Sequence, residues 1–156
     1  MPEISELEPW LASIAANLTP AARRRLSLKI GQALRRANAG RISRNEVPDG
    51  GRMEPRKPRK ARKSAKTGRI KRTGLMFRKL RLARAMMLRT DGNGPELSFR
   101  GRARVAAEHH YGAEVIVGKT KDGRTIKARM AERQLLGFSS ADPDMIMDAA
   151  TRHLTG

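Results

Sequence analysis

The chain has 156 residues, no cysteine, 3% aromatic residues and a net charge of +19, from 34 Lys and Arg against 15 Asp and Glu. This composition excludes disulfides, thiolate metal sites and cysteine nucleophiles, and no apolar run approaches the roughly 20 residues of a membrane-spanning helix. We therefore expect about one domain, made inside the cell without a secretory signal and without membrane contact. The charge makes nucleic acid the first partner to consider.

Two amphipathic helices are predicted over residues 1–40. The first, over residues 9–17, has an apolar stripe at helical spacing, formed by Leu7, Leu11, Ile14 and Leu18. The second begins at Thr19-Pro20, because threonine caps free backbone N–H groups and proline suits the first helical position. It is predicted to end at Gly40 and to bury the stripe Leu26, Ile30, Leu34 and Ala37. The short link between the helices indicates a helical hairpin.

A basic segment follows the predicted hairpin. Residues 41–90 hold 18 Lys and Arg against 3 Asp and Glu, and the densest part, residues 52–72, has almost no large apolar residue. Such a segment cannot offset its ordering entropy by burial. This predicts an extended basic arm over residues 41–74 that binds a partner, with a solvated loop as the alternative.

Residues 75–156 are predicted to form an α+β core. The turn Asp91-Gly92-Asn93-Gly94 favours a β-hairpin of residues 83–90 and 96–100, and a helix follows over residues 102–110. A second hairpin, of residues 115–118 and 125–128, surrounds an Asp-Gly turn, and Asp142-Pro143 opens a last helix. The predicted fold is α+β: an N-terminal helical hairpin, a long basic arm, one small antiparallel sheet with a helix, and a C-terminal helix.

Catalytic and cofactor motifs are missing from this sequence. His109 and His110 are adjacent, so on a helix their side chains point about 100° apart, and no spacing typical of a metal site or a phosphate-binding loop occurs. We predict no enzyme, no metal and no cofactor. His109 is interpreted as a packed, hydrogen-bonded histidine, and Tyr111-Gly112 favours a core tyrosine followed by a glycine that ends the helix.

A set of residue strings, in order along nearly the whole chain, resembles the phage virion morphogenesis family, the tail completion proteins of contractile-tailed phages. The strings are residues 7–11, 18–24, 32–36, 41–42, 48–50, 55–58, 76–81, 109–112 and 133–137, with Asp142 beyond them. Two positions depart from the family pattern. His110 stands where the family usually has Gln, and Ala131-Glu132 replace an expected Pro-Ala.

The resemblance implies a structural protein that caps the head-proximal end of the tail tube as a ring, commonly a hexamer, and enables head–tail joining. Its implied place is the virion, after assembly in the host cytoplasm. The implied partners are further copies of the chain, tail tube and sheath proteins, head–neck connector proteins and the phage genome passing through the lumen. The alternative is a nucleic-acid-binding protein that uses the charge of the basic arm. Such binding would be nonspecific, because the arm has no aromatic residues to stack on bases.

Interface candidates follow from the arm and from the matching strings. The arm cations Arg56, Lys57, Arg59 and Lys60 are expected to contact acidic protein surfaces, with DNA as a second target. The further candidates are Arg41, Pro48, Asp49, Gly50, His109, Tyr111, Gly112, Arg133, Leu135 and Leu136. Deletion of residues 52–72 is expected to leave a folded subunit that cannot assemble.

Overall fold

A computed structural model describes residues 18–57, 75–91 and 93–155, together with Ala12 and Ala16. In these ranges three helices and four strands follow in the order α1 Pro20–Arg44, β1 Met86–Thr90, β2 Pro95–Phe99, α2 Ala103–His110, β3 Glu114–Lys119, β4 Thr125–Arg129 and α3 Asp142–Thr155. The α+β class is confirmed. Of the predicted helix over residues 9–17 only Ala12 and Ala16 are described, both as helical, and the arm residues 58–74 lie outside the described residues. No helix in the described ranges is long and apolar enough to cross a membrane.

Helix α1 begins as predicted and ends later. The Thr19 hydroxyl accepts a hydrogen bond from the Ala22 N–H at 3.2 Å, and Pro20 takes the first helical position. The predicted stop at Gly40 is wrong, because the helix continues to Arg44 and ends at Asn45, which has a left-handed φ of 55°. A glycine inside a helix costs only about 1 kcal/mol, and burial of the Ile42 side chain beyond it offsets that cost.

The buried face of α1 is rotated from the predicted one. Leu26 and Ile30 are only half-buried, whereas the fully buried stripe consists of Ser27, Gly31, Leu34, Asn38 and Arg41, with Ile42 beside it. Gly31 allows the first hairpin to approach the helix, since a Cβ there would lie 2.4 Å from Leu88 Cδ1 and 2.8 Å from Pro95 Cβ. The polar members of the stripe are therefore interior residues, although the sequence pattern assigns them to no apolar face.

Both predicted hairpins form, but they do not join into the single predicted sheet. β1 pairs antiparallel with β2, and β3 pairs antiparallel with β4, in two separate two-stranded sheets. The β1–β2 turn is closed by the Asp91 carboxylate, which accepts hydrogen bonds from the N–H groups of Asn93 and Gly94. The β1–β2 hairpin packs on α1 and α2, whereas β3 and β4 pack chiefly against each other. The separation follows from α2, which lies between the hairpins in the chain.

The core draws on residues that the charge pattern assigns to the arm. Its buried members are Ile42, Met53, Met76, Leu80, Met86, Ala106 and Leu135. Residues 47–51 form a tight turn in which the Val47 N–H donates to the Gly51 carbonyl at 2.8 Å, and Met53 then enters the core with 4% of its surface exposed. The described start of the predicted arm is thus part of the folded body. Deleting residues 52–72 would remove Met53 from this core, so the expectation of a folded deletion variant loses its basis, which was the lack of buried apolar residues in that range.

Candidate functional site

The Arg133 guanidinium holds the beginning of the basic segment against the core. Arg133 is 5% exposed, and its Nε donates to the Glu54 carbonyl at 2.6 Å while Nη2 donates to the Pro55 carbonyl at 3.1 Å. Its Nη1 faces the Ala131 carbonyl at 3.4 Å and His109 Nδ1 at 3.2 Å. One buried cation therefore fixes residues 54–55 to the end of α2, with neutral acceptors as its partners.

The two adjacent histidines are both hydrogen-bond acceptors. A guanidinium can only donate, so His109 accepts from Arg133 through Nδ1, and its ring packs edge-on against Phe77 at 4.9 Å. His110 Nδ1 accepts from the Leu135 N–H at 3.2 Å. Burial, and then the Arg133 charge, lower the pKa of His109, and burial lowers the pKa of His110. The interpretation of His109 as a packed, hydrogen-bonded histidine is confirmed.

The far end of the basic segment returns to the same place. Arg56 Nη2 donates to the Leu75 carbonyl at 3.4 Å, and the Met76 N–H donates to Asn45 Oδ1 at 3.1 Å. Residues 58–74 carry eight Lys and Arg and no Asp or Glu. The described residues on either side of this segment, Arg56 and Leu75, therefore contact each other.

A buried ion pair fixes the loop that follows Arg133. Arg41 Nη1 lies 3.0 Å from Asp142 Oδ2, with side chains 9% and 6% exposed, and Arg41 Nη2 donates to the Gly137 carbonyl at 2.7 Å. Burial alone would raise the pKa of Asp142. The hydrogen bonds from the Ser139 N–H and from Arg41, together with the Arg41 charge, outweigh burial and lower the pKa. Arg41 is thus held inside the subunit and keeps α3 on α1.

The predicted interface candidates divide by exposure. The buried ones are Arg41, Pro48, Gly112, Arg133 and Leu135, the half-buried ones are His109 and Leu136, and the exposed ones are Asp49, Gly50, Arg56, Lys57 and Tyr111. Arg59 and Lys60 lie outside the described residues. The buried candidates hold the subunit together, so within this set only the exposed group and the half-buried pair present surface to a partner.

Tyr111 and Gly112 have different roles from each other. The prediction of a core tyrosine is wrong, because Tyr111 is 75% exposed. The prediction that Gly112 ends the helix is confirmed: its φ is 65°, and a Cβ there would lie 3.2 Å from the Glu132 backbone nitrogen. The bend at Gly112 turns the chain from α2 towards β3.

An apolar cleft of about 510 Å³ lies between α1, β2, α2 and residues 136–138. Its wall includes Leu34, Leu97 and Phe99, and its lining also includes Tyr111 and Phe138, which are 75% and 65% exposed. Exposed aromatic side chains beside an apolar cleft are typical of protein interfaces. Phe138 is not among the predicted interface candidates; its signal in the sequence is an apolar residue between Gly137 and two serines.

The β3–β4 hairpin carries a second exposed apolar surface. Ile116, Val117 and Ile126 are 64%, 54% and 43% exposed, and the pairing register shifts between Ile116 and Gly118. A two-stranded hairpin is marginally stable when it stands alone in water. The sequence predicted this hairpin from its β-branched residues, but it gave no sign that those residues stand outside the core.

The described ranges contain no group of three or more His, Asp or Glu side chains that could hold a metal ion. The Nδ1 atoms of the adjacent histidines both face hydrogen-bond donors. The described residues offer three kinds of surface to a partner: the exposed cations Arg56 and Lys57, an apolar cleft and an apolar hairpin.

Comparison with known proteins gives a match over nearly the full length. Residues 3–155 match the phage virion morphogenesis family. The chain is also 33% identical over 156 residues to tail completion protein S of Escherichia phage P2, with 99% of each chain covered. No solved structure matches significantly.

Proposed function

Because the chain belongs to the phage virion morphogenesis family, we propose that it is a tail completion protein, which caps the head-proximal end of the phage tail as a ring and prepares that end for joining to the head. The observation that carries the proposal is the length of the match, since 99% of each chain is covered in the comparison with tail completion protein S. A match of this extent includes the core, both hairpins and the basic segment together.

The exposed apolar surfaces support self-association. The β3–β4 hairpin and the cleft beside Tyr111 are different surfaces, and soluble monomers rarely expose large contiguous apolar patches. Contacts between two different surfaces of identical subunits are heterologous, and they close into a ring when the rotation per subunit permits. A neighbouring subunit would also stabilise the hairpin by covering its apolar residues.

The basic segment supplies the second set of contacts in this proposal. Arg56 and Lys57 mark its exposed beginning, and Arg59 and Lys60 continue it in the sequence. Their proposed partners are acidic surfaces on adjacent subunits and on tail tube, sheath or head–neck connector proteins. The protein would then be part of the virion, after assembly in the host cytoplasm.

The oligomeric state and tail binding of the purified protein test this proposal. We expect ring particles by negative-stain electron microscopy, alone or on added tails, and a multimeric mass by light scattering. The triple variant Ile116→Ser, Val117→Ser, Ile126→Ser should stay folded and lose the ring. Leu28→Ser, a matched change of a 43% exposed apolar residue on α1, should retain it. A protein that is strictly monomeric and never binds tails would refute the proposal.

A further inference from the structure

Helix α1 carries an excess of unpaired positive charge that the fold does not use. Its 25 residues include eight Lys and Arg and no Asp or Glu. Arg41 pairs with Asp142 and Arg44 pairs with Glu46, both through ion pairs with residues outside the helix. The remaining six are Arg23, Arg24, Arg25, Lys29, Arg35 and Arg36, and none of them makes an ion pair with any residue that the structure describes.

Three of these cations line up on the outer face of the helix. Arg25, Lys29 and Arg36 are exposed, and at about 100° per residue they lie within about 40° of one another around the axis. At about 1.5 Å per residue they span roughly 16 Å. This outer stripe lies opposite the buried stripe that packs on β1, β2 and α3.

The composition of the outer stripe favours a phosphate backbone over a protein surface. The centres of protein interfaces are depleted of most charged residues, and their anchors are aromatic residues, methionine or arginine packed in desolvated pockets. The outer stripe has none at its centre, since Gln32 is the residue that lies between Lys29 and Arg36 on that face. Contacts to phosphates need only cations and hydrogen-bond donors, and arginine is well suited to bind phosphate through two donors.

Like charges four residues apart, as at Arg25 and Lys29, destabilise a helix, and a bound polyanion would relieve that repulsion. We propose that the outer stripe of α1, formed by Arg25, Lys29 and Arg36, binds the sugar–phosphate backbone of nucleic acid without reading its sequence. None of these three residues belongs to the basic segment over residues 58–74. In a tail completion protein the nucleic acid would be the phage genome, but the binding itself does not depend on the proposed function.

A salt titration of duplex binding tests this inference. The full-length protein is titrated into a labelled duplex of about 20 base pairs between 50 and 200 mM salt, and log K is plotted against log salt. Replacing the outer stripe by Arg25→Gln, Lys29→Gln and Arg36→Gln should reduce the magnitude of the slope by about 2.7, since each lost phosphate contact contributes about 0.9. A matched variant removes three exposed cations that lie outside α1 and outside the β3–β4 hairpin, by Arg78→Gln, Lys79→Gln and Arg84→Gln.

The proposal predicts that this matched variant keeps a slope close to the unmodified protein's. Equal loss of slope in both variants would mean that net charge alone drives binding, and would overturn the proposal. An unchanged slope in the stripe variant would also overturn the proposal. If that variant in addition lost binding to tails, the partner of the stripe would be an acidic protein surface. Circular dichroism checks that both variants remain folded. The titration contains no tails, so a negative result would not contradict the tail completion proposal. Likewise, duplex binding can be measured whether or not the protein forms rings.

Discussion

The ion pair between Arg41 and Asp142 is the residue-scale contact on which the attachment of α3 to α1 depends. Both side chains are nearly excluded from water, so removing one leaves the other as an uncompensated buried charge. We expect Arg41→Ala to lower the free energy of unfolding by about 3–5 kcal/mol in urea denaturation. Arg36→Ala removes an exposed, unpaired cation from the same helix and should change it by no more than about 0.5 kcal/mol. Equal stabilities of the two variants would contradict this account.

His110 Nδ1 accepts a hydrogen bond from the Leu135 N–H at 3.2 Å, a bond that the side-chain oxygen of a glutamine could also accept. His110→Gln offers an oxygen that can accept the same N–H, whereas His110→Ala leaves that N–H unpaired and should cost about 1–3 kcal/mol at pH 7.5. The alanine variant is the control, because it removes the acceptor and the titrating ring together.

The pH dependence of His110→Gln gives a second, independent readout. Burial lowers the pKa of His110 in the folded protein, so below the ordinary pKa of about 6.5 the unfolded chain binds a proton more readily than the folded one. Its contribution to stability is therefore present above about pH 6.5 and is lost as the pH falls towards the lower folded pKa. The unmodified protein should lose stability relative to His110→Gln over that window in urea denaturation. A pH-independent difference would rule out this titration.

At the scale of elements, the contact between α1 and the β1–β2 hairpin depends on the missing side chain at Gly31. Gly31→Ala gains about 1 kcal/mol of helix propensity, but its Cβ would stand 2.8 Å from Pro95 Cβ and force the hairpin to shift. We expect a net loss of up to about 2 kcal/mol in thermal denaturation, because overpacking typically costs about 1–3 kcal/mol and the gain in helix propensity offsets about 1 kcal/mol of it. Gly40→Ala is the matched control. Its Cβ would meet only the Arg44 side chain end, at 3.3 Å, and it should stabilise the protein. Stabilisation by both changes would show that the approach at Gly31 is not tight.

The elements that the sequence predicts correctly are those with local causes. The Asp-Gly turns predict both hairpins, and Thr19-Pro20 predicts where α1 begins, because turn and cap chemistry involves residues a few positions apart. The buried face of α1 has distant causes. The Asn38 side chain accepts a hydrogen bond from the Gly137 N–H, and Arg41 forms an ion pair with Asp142; both partners lie about a hundred positions along the chain. Hydrophobic periodicity within the helix could therefore not identify its buried face.

The candidate site was predictable only in part, because its contacts also join residues that are distant in the sequence. The resemblance identified Arg133 and His109 as candidates. Only the structure shows that these two side chains contact each other and that Arg133 also donates to the carbonyls of residues 54–55. The sequence pattern of the β3–β4 hairpin is that of an ordinary half-buried sheet, although its apolar residues are exposed. The pattern could not show this exposure, because exposure depends on which other elements pack against the hairpin. Met53 was assigned to the arm for a similar reason: a single methionine among cations does not indicate that the segment enters the core.

For the whole molecule, the charge of +19 belongs chiefly to separate parts of the sequence. Eight of the cations lie in residues 58–74, and six unpaired ones lie on α1. The described residues that flank segment 58–74 have contacts of their own: Arg133 donates to the Glu54 and Pro55 carbonyls, and Arg56 donates to the Leu75 carbonyl. A deletion limited to residues 58–74 leaves the residues that make these contacts in place.

Deleting residues 58–74 and joining Lys57 to Leu75 by a four-residue Gly-Ser linker tests this separation. We expect a folded subunit, since Met53 and the Arg133 contacts remain, with a melting temperature lowered by no more than about 4 °C, and a loss of assembly onto tails. A second variant, with a neutral Gly-Ser segment of the original length, should also fail to assemble if charge is the cause. A deletion variant that completes infectious tails would contradict the role of the segment.

The most direct test of the tail completion role is cryo-electron microscopy of tails made with and without this chain. We predict a ring of its subunits at the head-proximal end of tails made with the chain, and open, head-free tails when it is missing. Tails that lack the chain yet join heads normally, or a chain found anywhere but at that end, would contradict the account.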